Sequence, residues 1–311
     1  MTLAVAGENL IDFVQEDEGR VPPAYLAHPG GSPMNVAMAA ARQGVETHYL
    51  TPVSQDSLGS LIATRLEQDG VHLATPRRVE PTSLAVVSLA DGIPSYEFYR
   101  DGTAERQVSN DQLAEAAPAG VSAFHMGSLA VSGGDDAPVY EAFHKARYAA
   151  GVLTSYDPNV RPSLLPDREG FLARVERIVA HTTLLKLSDE DLHWLYPERT
   201  EADALDHLAS LSSAAVLVLT KGPDGALARA GGVVAEIPAA PVEPFVDTVG
   251  AGDTFMATLL RLLMDRAGDY AFDHGQLSQL LETSSRAAAI NCTRAGCQPP
   301  TLDELYGVGA S

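Results

Sequence analysis

The strongest constraint on the fold is an alternation, along most of the chain, of short apolar runs with segments of helical periodicity. The predicted strands are residues 3–7, 47–53, 122–129, 152–158, 183–188 and 214–222, and the predicted helices include residues 33–43, 57–69, 136–150, 168–180 and 202–212. Strands that alternate with helices usually form a mainly parallel sheet with helices on both faces. The sequence therefore predicts an α/β protein whose ligands bind beyond the carboxyl ends of the strands.

Two segments, residues 12–29 and 81–106, interrupt this alternation. They contain extended runs such as TSLAVVSLA and PSYEFYR, with turn signals at Asp91-Gly92 and Asp101-Gly102. Such patterns are typical of β-hairpins, and they predict a small sheet, outside the main one, that covers a site. No linker rich in Pro, Gly or Ser divides the 311 residues. A single domain, 1–311, with a lid formed by the two segments is therefore expected.

The charge balance disfavours some classes of ligand. Lys and Arg number 21 against 41 Asp and Glu, a formal net charge of −20, which argues against nucleic acid and against an anionic membrane as partners. Cys292 and Cys297 are the only cysteines, too few for a disulfide framework or a zinc site. The first residues show no basic region before their short apolar run, and no stretch approaches ~18 continuous apolar residues. A soluble, cytoplasmic protein is expected.

The segment GGSPMNVAMAAARQG, residues 30–44, has features of a helix start that binds a ligand. Ser32, followed by proline, predicts an N-cap and a first helical position, and Gly44 suits the residue just past the helix end. The Gly-Gly pair allows another molecule to approach the backbone, and Asn35 offers a donor and an acceptor in the first turn. The alternative is a capped helix without a ligand that has a polar residue in its first turn.

Polar residues also follow other predicted strands. Glu8 and Asp12 lie at and just after the end of the first strand, where carboxylates can accept hydrogen bonds from sugar hydroxyls; the alternative is that they are solvated loop acids. The segment YDPNVRPSLLPD places Asp157, Asn159 and Arg161 after another strand. Arg161 is suited either to a phosphate or carboxylate ligand or to a surface ion pair.

Two more strand ends have both a ligand-binding and a structural interpretation. KLSDEDLHWL, residues 186–195, starts a helix with acidic residues, which either hold Mg²⁺ through water or stabilise the helix start. LTKGPDGAL, residues 219–227, places Thr220, Gly222 and Gly225 after a strand. These three residues either line a nucleotide or form a plain β-hairpin turn.

The segment DTVGAGDTFMATLL, residues 247–260, indicates chemistry most directly. Gly250 and Gly252 open an apolar run with helical spacing, and backbone N–H groups at such a start attract anions. The segment matches neither the P-loop nor the dinucleotide fingerprint, yet Asp253 places a carboxylate in the same turn. Phosphoryl transfer explains both features, because N–H groups stabilise the transferring phosphoryl while the carboxylate accepts the proton of the attacking hydroxyl. Helix capping by Asp253 is the alternative.

Together, GGSPMNVAMAAARQGVETHYLTPVSQDSLG and DTVGAGDTFMATLL resemble the two signature motifs of the PfkB, or ribokinase-like, carbohydrate kinases in order and separation. Similarity continues through GENLIDF, YEFYRDGTAER, YDPNVRPSLLPD, TKGPDG and CTRAGCQPPTL, so the resemblance covers essentially the whole chain. It implies a ribokinase-like three-layer α/β/α sandwich with a small β-sheet lid. It also implies transfer of the ATP γ-phosphate to a sugar hydroxyl. SYEFYRDGTA and DPNVRPSL resemble the fructokinases of the family, although 2-keto-3-deoxygluconate kinases share much of the pattern.

The resemblance implies roles for individual residues. By motif match, Asp253 is the catalytic base, and Gly250, Ala251 and Gly252 form the anion hole. The implied sugar-binding residues are Asp12, Gly31, Asn35, Asn159 and Arg161, and the implied nucleotide-binding residues are Ser188, Thr220, Gly222 and Gly225. The backbone at Asp247 and Val249 matches positions that hold K⁺ in many members of the family.

One segment departs from the family pattern. Where members often carry Asn-x-x-Glu, this chain has Ser188-Asp189-Glu190-Asp191. The departure puts in question the contacts of Ser188 with the nucleotide and of Asp191 with Mg²⁺ through water, and Glu190 offers a substitute by a one-residue shift.

The predicted activity is that of an ATP-dependent sugar kinase that uses Mg²⁺ and K⁺ and converts D-fructose to fructose 6-phosphate. The alternatives are 2-keto-3-deoxygluconate kinase or another sugar kinase of the same family, and a non-catalytic sugar-binding regulator on the same fold. Small sheets leave an edge and an apolar face that need cover. This need predicts a homodimer formed lid to lid.

Overall fold

The computed structural model describes residues 1–17, 19–90, 93–211 and 215–307. Its strands form one large and one small sheet. In chain order they are β1 (Thr2–Val5), β2 (Leu10–Gln15), β3 (Tyr25–Gly30), β4 (Glu46–Tyr49), β5 (Val71–Leu73), β6 (Ser83–Ala90), β7 (Ile93–Tyr99), β8 (Ala123–Gly127), β9 (Leu153–Asp157), β10 (Leu184–Ser188), β11 (Val216–Thr220), β12 (Ala226–Ala230) and β13 (Val233–Ile237).

The large sheet has nine strands in the order β13-β12-β11-β10-β9-β8-β1-β4-β5. The seven strands from β11 to β5 are parallel, and β12 and β13 add an antiparallel hairpin at one edge. All six strands predicted from the apolar runs are present. The edge hairpin was not predicted, because its short runs of alanine and valine lack the strong apolar signal of the central strands.

Helices cover both faces of the large sheet. They are α1 (Ser32–Arg42), α2 (Ser57–Gln68), α3 (Asn110–Ala116), α4 (Ala137–Ala149), α5 (Arg168–Val179), α6 (Asp189–Leu195), α7 (Glu201–Leu211), α8 (Ala251–Asp265), α9 (His274–Cys292) and α10 (Leu302–Tyr306). Successive side chains of a strand point to opposite faces. In β1, Leu3 and Val5 accordingly pack in a core with α1, α2, α8 and α9, whereas Ala4 packs in a second core with α3 to α7. The predicted three-layer α/β/α sandwich is confirmed.

The small sheet contains the strands β3-β2-β6-β7 and comes from the two segments that interrupt the alternation. β2 pairs antiparallel with β3 and parallel with β6, and β6 forms an antiparallel pair with β7. The predicted turn at Asp91-Gly92 lies outside the described residues. A turn is present at Asp101-Gly102, as predicted, but it joins no hairpin, since the chain leaves the sheet there and enters a 3-10 turn at Ala104–Arg106.

A buried ion pair explains this exit from the small sheet. Arg100 Nε donates to Glu105 Oε1 over 2.8 Å, and both side chains are almost completely buried. A pair of this kind is stable only with its hydrogen bonds intact, so it closes the loop of residues 100–105. Arg100 Nη1 also donates to Leu129 O over 3.3 Å, which fastens this loop to the body of the protein. Within the described ranges, no helix combines the length and the apolar character needed to cross a membrane.

Candidate active site

Asp253 lies in the first turn of α8, and its carboxylate is directed at another helix. Oδ1 accepts a hydrogen bond from Ser32 Oγ over 2.6 Å, and Oδ2 accepts one from Asn35 Nδ2 over 2.8 Å. Ser32 and Asn35 both belong to the first turn of α1. No side chain caps α8, so the helix-capping explanation for Asp253 is wrong. The starts of α1 and α8 instead form one site.

The prediction that Ser32 caps α1 is also wrong. The helix begins at Ser32 itself, and its N-cap residue is Gly31, which has no side chain with which to cap it. The Ser32 hydroxyl is used for Asp253, while its backbone N–H donates to Glu8 Oε1 over 3.1 Å. Gly31 has φ 121°, and a side-chain carbon there would collide with the carbonyl oxygen of Glu8. Glycine therefore permits the close packing that places Ser32 between Glu8 and Asp253.

Burial raises the pKa of Asp253 above its ordinary value. The hydrogen bonds from Ser32 and Asn35 act in the opposite direction, as does the positive charge of Lys186, while the carboxylate of Asp157 adds to the increase. A carboxylate with a raised pKa is a stronger base. The environment of Asp253 thus favours proton acceptance from a hydroxyl group.

The backbone before Asp253 makes a compact turn. Gly250 is left-handed, with φ 76°, and a side-chain carbon on it would collide with Cys297 Sγ. The first hydrogen bond within α8 runs from Thr254 N to Gly250 O over 2.8 Å. The N–H groups of Gly252 and Asp253 precede that bond and have no partner within the helix. They form the kind of helix start that binds a phosphate.

The predicted sugar-binding residues converge on the same region. Asp12 lies on β2 in register with Ala85 and Phe98 of the neighbouring strands. Burial raises the pKa of Asp12 to about 6, and the nearby positive charge of Arg161 opposes the increase. Arg161 Nη1 donates to Asn159 Oδ1 over 2.8 Å. The small sheet and the loop after β9 therefore face each other beside α1.

Asn35 has capacity left for a ligand. Its amide nitrogen donates to Asp253, whereas its Oδ1 is buried and has no hydrogen-bond partner among the described residues. A buried acceptor without a partner is costly. A ligand hydroxyl that donates to Asn35 Oδ1 would satisfy it.

The predicted nucleotide-binding residues lie at the carboxyl ends of β10 and β11. Ser188 and Thr220 are register partners there. Gly222 begins a 3-10 turn, and Gly225 leads into β12. The turn belongs to an antiparallel hairpin, so the structural interpretation of this segment is correct, and the same residues remain available to a nucleotide.

The segment that departs from the family pattern makes hydrogen bonds that stabilise the local fold. Ser188 and Asp191 form a capping box at the start of α6. Asp191 Oδ1 also accepts from Val160 N over 2.8 Å, while Glu190 is exposed. No group of three or more His, Cys, Asp or Glu side chains in the described ranges is arranged to hold a metal ion. These residues therefore do not form a protein-only cage for Mg²⁺.

The predicted K⁺ segment connects two loops next to α8. Asp247 Oδ1 accepts from Val249 N over 2.9 Å, and Oδ2 accepts from Gly296 N over 2.7 Å. The carbonyl oxygen of Val249 accepts from Asn291 Nδ2 over 2.7 Å. These bonds couple the shape of the loop before Gly250 to the loop after α9.

Comparison with known proteins identifies the family. The family model of the pfkB family carbohydrate kinases matches residues 2–304. The chain belongs to this family. It is 33% identical over 261 residues to a fructokinase of Rhizobium leguminosarum bv. trifolii, covering 83% of this chain and 78% of that protein. It is 32% identical over 325 residues to probable fructokinase-4 of Arabidopsis thaliana, covering 97% and 94%. A crystal structure of Xylella fastidiosa fructokinase with bound ATP superposes with a TM-score of 0.87 at 27% identity, covering 99% and 97%.

This pfkB family member also has a buried lysine near Asp253, for which the sequence patterns predicted no role. Lys186 of β10 is 5% exposed, and its Nζ lies 2.7 Å from Asp157 Oδ2. The signal in the sequence is a lysine inside the apolar run TLLKLS. A lysine is almost never fully buried unless it is paired, so its position in a predicted central strand implies a buried acidic partner.

Proposed function

We propose that this carbohydrate kinase transfers the γ-phosphate of ATP to D-fructose and produces fructose 6-phosphate and ADP. The observation that carries the proposal is the buried carboxylate of Asp253, held by Ser32 and Asn35 at a helix start that is built for an anion. A base and an anion site in the same turn match the two needs of phosphoryl transfer to an alcohol.

Asp253 would accept the proton of the sugar hydroxyl as its oxygen attacks the γ-phosphorus. One phosphorus–oxygen bond then forms to the sugar while the bond to ADP breaks, and ADP leaves with the electron pair. The backbone of Gly250, Ala251 and Gly252 would stabilise the negative charge on the transferring phosphoryl group. This stabilisation requires no rearrangement, because the turn is already held by packing against Cys297.

Five residues would bind the sugar: Asp12, Gly31, Asn35, Asn159 and Arg161. Support for fructose comes from the fructokinase names of the relatives. Arg161 provides the observation that favours the second candidate, 2-keto-3-deoxygluconate. This substrate carries a carboxylate, which pairs well with a guanidinium group.

Ser188, Thr220, Gly222 and Gly225 would line the nucleotide, as their place beyond the carboxyl ends of β10 and β11 suggests. Mg²⁺ would arrive with the ATP phosphates and keep water ligands, which is its usual mode. The carbonyl groups near Asp247 and Val249 would hold K⁺ and support the shape of the anion hole. A role for Asp191 toward Mg²⁺ through water would have to coexist with its capping box.

The small sheet would act as the lid of a single kinase domain. Its strands contribute Asp12 to the site, and they join the body through β3 and α1. The lid also exposes large apolar side chains, including Leu26, Tyr96 and Tyr99. A second copy of the chain would cover them in a homodimer formed lid to lid.

A panel of sugars assayed for ADP release tests the proposed function. We expect sugar-dependent ADP release with the highest kcat/KM for fructose, and phosphate on the 6-hydroxyl of the product. A higher kcat/KM for 2-keto-3-deoxygluconate would favour the second candidate. Sugar binding without ADP release would instead favour a regulator without catalytic activity.

A further inference from the structure

We propose that Lys186 is a catalytic residue of the phosphoryl transfer, with its ammonium group in contact with the transferring phosphoryl. The inference rests on the proposed function, and it assigns a new role at the same site. Lys186 Nζ lies close to the start of α8, because a side-chain carbon built on Gly252 would be 3.4 Å from it. The missing side chain at Gly252 leaves the space between the ammonium and the helix start open.

The placement of this ammonium beside a helix start is unusual. A helix start carries a partial positive charge, so cations are normally found at the other end of a helix. Here a buried cation and the positive end of α8 approach each other beside Gly252. Two positive features that converge on one point make a good site for a negatively charged group, such as a phosphoryl in transfer.

Asp157 accounts for only part of the bonding capacity of Lys186. An ammonium group has three hydrogens to donate, and Asp157 Oδ2 accepts one of them over 2.7 Å. No other hydrogen bond of Nζ occurs within the described ranges of the chain. The geometry thus fixes the ammonium through Asp157 and leaves donors for a phosphoryl oxygen.

Lys186 is a positive charge among several buried carboxylates near the site. Asp157, Asp191 and Asp253 are all buried near it, and incoming ATP adds further negative charge. Burial alone lowers the pKa of Lys186, but the attraction of these carboxylates, led by Asp157, outweighs it and raises the pKa. The ammonium therefore stays charged, and it offsets the repulsion between the acidic groups and the phosphates.

A double-mutant cycle separates catalysis from simple charge pairing. Lys186→Met removes the ammonium, Asp157→Asn removes its partner, and the double variant removes both. If Lys186 contacts the phosphoryl, we expect kcat to fall roughly 10²–10³-fold in Lys186→Met. We expect the double variant to remain as slow, with the sugar KM within about threefold of wild type. Asp157→Asn, which keeps the ammonium, should retain kcat within about tenfold.

Recovery of kcat in the double variant to within tenfold of wild type would overturn the proposal, since Lys186 would then serve only to neutralise Asp157. Unchanged kcat in Lys186→Met would also overturn it. The single variant leaves a buried carboxylate unpaired and risks misfolding. The double variant removes the charge of Asp157 as well, and its melting temperature shows whether it folds. Wild-type enzyme without sugar-dependent ADP release would refute the proposed function itself, whereas an active wild type with an active double variant refutes only the role of Lys186.

Discussion

Replacing Asp253 by asparagine should abolish most catalysis and leave the fold intact. Asparagine keeps the shape of the side chain and removes the base. Loss of a general base typically lowers the rate ~10²–10⁴-fold, which corresponds to about 3–5 kcal/mol of activation barrier. We expect this loss to appear in kcat, because the carboxylate is required when the hydroxyl gives up its proton and contributes little to holding ATP.

The hydrogen bonds of Asp253 determine what happens to stability. With the new amide nitrogen beside Ser32, the Ser32 hydroxyl can reverse and accept from it, while the remaining side-chain oxygen still accepts from Asn35 Nδ2. Burial raises the pKa of Asp253, so the ionised side chain destabilises the folded state at pH values above that pKa. A neutral asparagine removes this penalty. Asp253→Asn is therefore expected to melt at or above the wild-type temperature at neutral pH.

The assay measures kcat, KM for sugar and ATP, and the melting temperature on the same preparations. Ser32→Ala is the matched control, because it removes one 2.6 Å hydrogen bond to Asp253 and keeps the base. A net hydrogen bond contributes ~0.5–1.5 kcal/mol, so kcat should fall no more than roughly tenfold in this control. An Asp253→Asn enzyme with more than about a tenth of wild-type kcat would refute a role for Asp253 as the base.

Four further predictions concern other parts of the molecule. Arg161→Ala should raise the sugar KM and lower kcat/KM for every active sugar; unchanged values would remove Arg161 from the site. Burial raises the pKa of Glu8 from 4.5 to about 7, so its ionisation should reduce stability as pH rises through this interval. The melting temperature of Glu8→Gln should accordingly fall less than that of the wild type between these pH values. Melting temperatures that change in parallel would show that Glu8 does not cause the loss of stability. K⁺ should raise the rate relative to a large organic cation, and equal rates would argue against a K⁺ site near Val249. Sedimentation should show a dimer at micromolar concentration, whereas a fully active monomer would contradict pairing through the lid.

Local sequence patterns predicted most of the fold because they report local physics. The alternation of apolar runs and helical segments gave the correct central strands, and the two irregular segments gave the small sheet. The pattern could not show that β12 and β13 extend the sheet. Nor could it show that residues 100–105 leave the small sheet, because that path depends on the buried pair of Arg100 and Glu105.

The pairing of Lys186 with Asp157 was beyond local reasoning for a similar reason. The two residues are 29 positions apart, and only the order of β9 and β10 in the sheet makes them neighbours. The sequence pointed to Asp157 as a polar residue after a strand, but it offered no means to choose its partner. A buried lysine in a strand was the available clue, and sheet topology was the missing information.

Asp253 illustrates how a site arises from two ambiguous segments. Taken alone, its segment permits either helix capping or chemistry, and the segment of Ser32 permits either a cap or a ligand site. The structure joins them across 221 positions, with Ser32 Oγ and Asn35 Nδ2 bonded to the two carboxylate oxygens. Each side chain that could have capped its own helix instead bonds to the other helix. A polar side chain that bonds to a distant helix when it could cap its own is placed there by a requirement that lies outside its own helix. The proposed role of Asp253 as a base provides such a requirement, because a base has to be aimed at the hydroxyl from which it accepts a proton.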